Sequence, residues 1–223
     1  MRILLLLLAL LLGSCSTTQA PAPITEEEAH HALVEVLRLA ASGMESTALT
    51  SLPLSSLLTE EQLHLLDNDD IPLLPQRLEA WRGEVLEAYR STARALAGEL
   101  GGLFTSLTID DARQVVQSKS LSATSILKVQ KAEELRAAAG ALLRPALEAS
   151  LGMWRTICER HAIWRRSRML LKQEVPPPLA DDPFEQLLTI FTDGFLAALE
   201  REEMLLRTTP VVKGSGSILE VFQ

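Results

Sequence analysis

The chain has 223 residues, 21 of them basic and 29 acidic for a net charge of −8, and 47% hydrophobic side chains. That balance describes an acidic globular chain and excludes collagen, wholesale disorder and a multi-span membrane protein. Aromatic residues make up only 4% while Leu and Ala dominate after residue 25, which favours a helical domain over a β-sandwich. Two cysteines cannot build a disulfide scaffold, and a strongly basic surface for nucleic acid is absent.

Met1-Arg2 is a short positive start, and Ile3 to Leu12 is an unbroken apolar run. Such a run is too short to cross a bilayer comfortably, so residues 1–14 read as a signal peptide. The sequence Leu12-Gly13-Ser14-Cys15 resembles the bacterial lipobox. That resemblance implies a diacylglycerol on the Cys15 thiol, cleavage just before it and acylation of the new amine, which together would anchor the chain stably. By resemblance to enterobacterial lipoproteins, Ser16 after the cysteine implies the periplasmic face of the outer membrane. Loss of Arg2 leaves a mature net charge of −9, with Cys158 as its only unmodified cysteine. Neither a G-x-x-x-x-G-K-[ST] nor a G-x-G-x-x-G pattern is present, so nucleotide cofactors have no motif here.

Residues 15–24 read as a small, polar, Pro-containing tether, and residues 25–223 as one helical domain. Thr25-Glu26-Glu27-Glu28 is a capping box opening a helix that runs to about Ser42, with Leu33, Val36, Leu37 and Ala40 on one face and Gly43 as its stop. Thr59 to Gln62 repeats the device for a short helix ending near Asp67, and Asp67 to Pro75 must be a turn or strap. After Pro75 a helix carries Leu78, Trp81, Val85, Leu86, Tyr89 and Ala93, fading near Gly98. Thr108 to Asp111 is an N-cap signature, Ser118 to Ser122 a polar break, and Ser122 to Lys131 another short helix. From Ala132 the pattern stays helical past Leu151, although Pro145 should begin or kink a helix. Trp154 to Gln173 follows, and Pro176-Pro177-Pro178 ends it. Asp182-Pro183-Phe184-Glu185 starts a last helix, with Asp182 as cap and Glu185 reaching back. Phe184, Leu187, Leu188, Phe191, Phe195, Ala198 and Leu199 form its stripe, which Glu200 to Glu203 briefly breaks. A flexible hinge near 213–217 then carries a short apolar tail. The expected fold is all-α, a single irregular bundle of about seven to nine helices.

The carboxyl half shows Asp193-Gly194, Glu202-Glu203, Arg207, Pro210 and Val221-Phe222 in that order. With Thr108 to Ala112, Ala123-Thr124, Pro145 and Ile71-Pro72-Leu73 upstream, the chain resembles the exported, all-helical Gram-negative family catalogued as domain of unknown function 4197. The resemblance spans about residues 25–223 and rests on order and spacing. Tyr89 to Thr92, Ile126-Leu127 and Ser118-Lys119 depart from the family's Asn-Arg-Ala-Ala, Tyr-Phe and Gly-Gly. The resemblance implies a divergent member and no known reaction.

Chemistry-bearing clusters are few. Cys158 and His161 lie one helical turn apart, a half-site for zinc or a Cys-His pair, but no second Cys-His set or orienting group accompanies them, and a packed cysteine is the simpler reading. His30-His31 reads as a solvated helix start, and the pairs Asp69-Asp70, Asp110-Asp111 and Asp181-Asp182 as turn and cap residues. No catalytic, cofactor or metal residue is assigned. The strongest anomaly is charge: Arg155, Arg160, Arg165, Arg166, Arg168 and Lys172 stand against Glu159 alone between Trp154 and Lys172, so this segment carries +5 and the rest of the mature chain −14. One reading is contact with an anionic membrane surface, arginines on phosphates and Trp154 and Trp164 at the headgroups. The other is internal, the basic helix packing near acids such as Glu200 to Glu203 with both Trp in the core. Ten residues of helix separate the two Trp by about −80°, which favours the internal reading.

Two function classes follow. The first, preferred, is a non-enzymatic envelope module anchored through acyl chains on Cys15, with an envelope protein or lipid as partner. The second is a carrier of an apolar ligand between helices, with Phe184 to Leu199 as its wall.

Overall fold

The computed structural model describes residues 24–43, 49, 51–118, 121–211 and 217–222. Among them are eight α-helices, three 3-10 turns and no strand, in agreement with the all-α expectation. The helices are α1 (Glu26–Gly43), α2 (Leu74–Glu99), α3 (Gly101–Thr105), α4 (Ala112–Gln117), α5 (Ala123–Gln130), α6 (Ala132–Ala146), α7 (Glu148–Leu170) and α8 (Phe184–Thr208). The 3-10 turns are Leu54–Leu57, Glu60–Leu65 and Ile218–Phe222.

Local chemistry sets the boundaries. Thr25 and Glu28 form the expected capping box: the Thr25 amide donates to Glu28 Oε2 at 2.9 Å and the Glu28 amide donates to Thr25 Oγ1 at 3.2 Å. The Thr25 amide, and the Thr25 hydroxyl donating to the same oxygen at 2.8 Å, hold the Glu28 carboxyl below its usual range. At Thr59 the box also forms, its amide donating to Gln62 Oε1 at 2.9 Å, but it opens a 3-10 turn that stops at Leu65 rather than Asp67. Asp111 caps α4, in a left-handed conformation, by accepting from the Gln114 amide. Ser122 caps α5 by accepting from the Ser125 amide at 3.0 Å. Pro145 sits in the last turn of α6, and the helical run divides at Leu147 instead of continuing, because a proline supplies no amide to the preceding turn. At α8, Asp182 Oδ1 accepts from the Phe184 amide at 2.9 Å. Glu185 does not reach back; its carboxylate takes Arg136 at 2.8 Å, a stronger charge-assisted partner on α6.

One continuous core joins these elements. α8 packs against α1, α5, α6 and the tail turn, while α2 packs against α6, α7 and α1. Trp81 on α2 lies against Trp154 on α7, with ring centroids 4.8 Å apart. Tyr89 on α2 meets Phe191 on α8 at 5.3 Å and donates its hydroxyl to Leu187 O at 2.7 Å. Burial raises the Tyr89 pKa, so this tie stays protonated. Among the described residues the core begins at Ala29, with Ile24 packed against it.

At 1.5 Å per residue the 26 residues of α2 span about 39 Å. Its first turn lies beside the end of α7, where Asp70, in the preceding strap, pairs with Arg168. Its far end runs through Leu100 into α3, which packs on α1. There Thr105 shares a cleft with Glu27, His30 and Val221. The start of α1 and the end of α7 are therefore at opposite ends of the body.

Candidate functional site

The basic segment divides by exposure. Trp154 is fully buried, as the internal reading expects, while Trp164 is half-buried and lines the clefts beside the Asp70 strap. The cations face the other way: Arg155, Arg160, Arg166 and Lys172 are exposed, without a carboxylate in salt-bridge range among the described residues. Arg165 is half-buried and donates from Nε to Pro176 O at 2.7 Å. Arg168 is half-buried, bound to Asp70 and, at 2.6 Å, to Gln173 Oε1. The acids expected beside this helix, Glu200 to Glu203, are not its partners. The strap ending at α2 supplies Asp70 in their place, because it is this strap that runs along the end of α7.

The same end of α7 exposes apolar side chains. Ile163 is 65% exposed, Met169 58%, Leu170 85% and Leu171 68%. A helix advances 100° per residue, so Ile163, Arg166 and Leu170 fall within about 60° of one another, opposite Trp154, Ile157 and His161. The periodicity that places the two Trp also locates this crest, but charge alone drew attention to the segment. The helix stops abruptly beyond it: Lys172 is left-handed, with φ 54°, and the Gln173 amide returns to Arg168 O at 3.1 Å.

On the inward face, His161 is buried and meets His64 across the bundle, Nε2 to Nε2, at 3.0 Å. His64 Nδ1 lies 2.7 Å from Glu61 O; a carbonyl only accepts, so Nδ1 carries the proton and the His64 Nε2 lone pair accepts from His161 Nε2–H. Burial first, then His64 and Arg165, lower the His161 pKa from its ordinary 6.5 to about 4. The sign follows from linkage: between those values the unfolded chain binds a proton that the folded chain does not, so stability rises with pH across this window. We expect the denaturant midpoint to fall as pH drops from about 6.5 toward 4. Replacing His161 by Gln should flatten that part of the profile, and an unchanged slope in H161Q would assign the pH dependence to other groups.

Cys158, one turn earlier, is 8% exposed and directs Sγ to Ala180 O at 3.6 Å. Burial foremost, then Asp181 and Glu159, push its thiol up to about 11, which keeps it protonated and poorly nucleophilic. Cys158, His161, Arg155 and Arg166 line an open cleft of about 790 Å³ beneath the Pro178-Leu179 strap. Among the described residues no group of three or more His, Cys, Asp or Glu could hold a metal ion. His30 is not a purely solvated residue: its Nε2 reaches Leu107 O at 3.2 Å.

The polar centre that sequence reasoning missed lies on α8. The apolar stripe does not break at the charged run, because Glu203 and Arg207 continue it inward, Glu203 at 0% exposure. The Glu203 carboxylate accepts from the Ala123 and Thr124 amides at 2.8 Å each and from Thr124 Oγ1 at 2.7 Å. It thereby caps the start of α5. Arg207 pairs with Glu203 at 3.2 Å. Its guanidinium also donates to Leu121 O at 2.7 Å, Val115 O at 2.5 Å and Ser118 O at 2.8 Å, closing the end of α4. Phe222 lies over Arg207 at 5.1 Å. On the same helix, a Cβ at Gly194 would come within 2.7 Å of Leu49 Cδ2, so the missing side chain admits that leucine.

Cys15 and residues 213–216 of the expected hinge lie outside the described residues. No helix among the described residues is long and apolar enough to cross a membrane. Neither a family model, nor a curated protein, nor a solved structure matches the chain.

Proposed function

We propose that the chain is a lipid-anchored cell-envelope protein, a non-enzymatic interaction module held at the periplasmic face of a membrane, with the outer membrane as its site. The observation that carries this reading is Leu12-Gly13-Ser14-Cys15 directly after a ten-residue apolar run. A body built around one continuous core and charged asymmetrically at one helix end suits a module that acts through its surface. Membership of the domain of unknown function 4197 family belongs to the same proposal. Three of the residues carrying that resemblance, Glu203, Arg207 and Phe222, contact one another in sequence around a single buried centre, which supports a shared structural role.

The test is processing in a Gram-negative host fed a clickable palmitate analogue. The wild-type chain should take up the label and sediment with the envelope. The Cys15→Ala chain should do neither, and label retained in that variant would sink the assignment.

A carrier of an apolar ligand is the second reading. Its wall cannot be Phe184 to Leu199, whose apolar stripe fills the core. An open cleft of about 1020 Å³ between the start of α1 and the tail turn, lined by Ile24, Val34, Ile218 and Val221 together with acidic Glu27 and Glu220, is the place that favours it.

A further inference from the structure

We infer that the end of α7 is a docking surface for an anionic phospholipid bilayer, its aliphatic crest entering the interface and its cations meeting the phosphates. The inference rests on the envelope reading only for bringing the body near a membrane. Ile163 and Leu170 point outward on one face of α7, and Met169 and Leu171 extend the crest to the tip, all more than half exposed. Apolar area left in water at this density favours transfer to an apolar phase. Arg166 lies between Ile163 and Leu170 on the same face, Arg160 flanks it, and Lys172 closes the tip. Glu159 on this face and Glu174 beyond the tip are the nearby acids in sequence. Asp70 is already spent on Arg168.

Two features select a bilayer over an acidic protein. The crest is apolar and without an exposed aromatic, whereas protein hot spots centre on Trp, Tyr and Arg seated in pockets. The cations stand beside it on long stems that can lie along the acyl boundary while their heads stay at the phosphates. Lys172 adds a third feature: its left-handed conformation is one a glycine would adopt without cost, yet a cation occupies it, at the outermost point of the helix.

The experiment is co-sedimentation of residues 16–223, which retain every described residue, with vesicles of phosphatidylethanolamine and phosphatidylglycerol, and with vesicles of phosphatidylcholine alone. Retention is expected on the anionic vesicles and should weaken at raised salt. Arg160→Ala with Arg166→Ala should lower the partition coefficient about thirtyfold, at about fivefold for each cation near a charged surface. Ile163→Ser with Leu170→Ser should lower it about tenfold or more. All four side chains are exposed, so both variants keep the fold, which their helical circular dichroism checks. Absence of retention, equal retention on both lipids, or indifference to either pair would overturn the surface. Failure here with Cys15 still acylated removes the docking surface and leaves the anchored module; vesicle binding without acylation does the reverse.

Discussion

Replacing Glu203 by alanine is expected to cost about 3–5 kcal/mol, the penalty for leaving one partner of a buried ion pair uncompensated. Arg207 would remain in the interior, and the Ala123 and Thr124 amides would lose the oxygens that satisfy them. Arg207→Ala should be comparably severe, because three carbonyls at the end of α4 and its approach to α5 depend on that guanidinium. The conservative changes separate charge from geometry. Glu203→Gln keeps one acceptor and should cost less, about 1–3 kcal/mol, whereas Arg207→Lys offers a point charge where a planar fork serves several carbonyls and should recover little. Equilibrium urea unfolding of the four variants would decide. Losses below about 1 kcal/mol for both alanine variants would mean that α4 and α5 are held by apolar packing alone.

Trp154→Ala should be the second large loss, about 3–5 kcal/mol for emptying a buried indole site. Two jobs are combined in that side chain. Its ring fills the space against Trp81, and its Nε1 donates to Ala180 O at 2.8 Å, pinning the proline strap that leads into α8. Trp154→Phe should therefore lose the hydrogen bond as well as part of the ring, and the strap around Pro176 to Ala180 should become sensitive to protease. Trp81→Phe makes the contrast. The Trp81 Nε1 is buried with no partner among the described residues, so removing it relieves an unsatisfied donor, and the change should cost less than Trp154→Phe. Thermal unfolding together with limited proteolysis reads both effects; equal losses for the two phenylalanine variants would show that the Ala180 bond contributes nothing.

What the sequence disclosed and what it hid follow from distance along the chain. The caps at Thr25 and Asp111, and the Asp182 carboxylate on the Phe184 amide, were legible because donor and acceptor lie within three residues. That the two indoles of α7 do not form one outward face was legible, because ten residues of helix set them about 80° apart; Trp154 is buried and Trp164 half-buried. Glu203 reads in the sequence only as part of a charged run interrupting the stripe, because its partners, Ala123 and Thr124, are about eighty residues away, and no local pattern predicts a carboxylate that caps a distant helix from inside the core. His64 and His161 met in the same unheralded way, 97 residues apart. The crest at Ile163 and Leu170 was readable in principle: the arithmetic that sets the indoles apart turns these two outward. Five arginines in the helix and Lys172 just past its end masked it, since charge explains the segment's exposure without reference to its aliphatic residues.

The length of α2 has a consequence for posture. The nine residues from Ser16 to Ile24 can reach at most about 30 Å when drawn taut, less than the roughly 39 Å that separates the two ends of the body along α2. A molecule held by acyl chains at Cys15 and resting on the tip of α7 in the same leaflet cannot stand upright, because the tether would fall short; it must lean, with a flank turned toward the lipid. On the proposed anchorage at Cys15, lengthening the tether would let it rise, and the span from Cys15 to Thr25 would act as a ruler for how far the body stands off the bilayer.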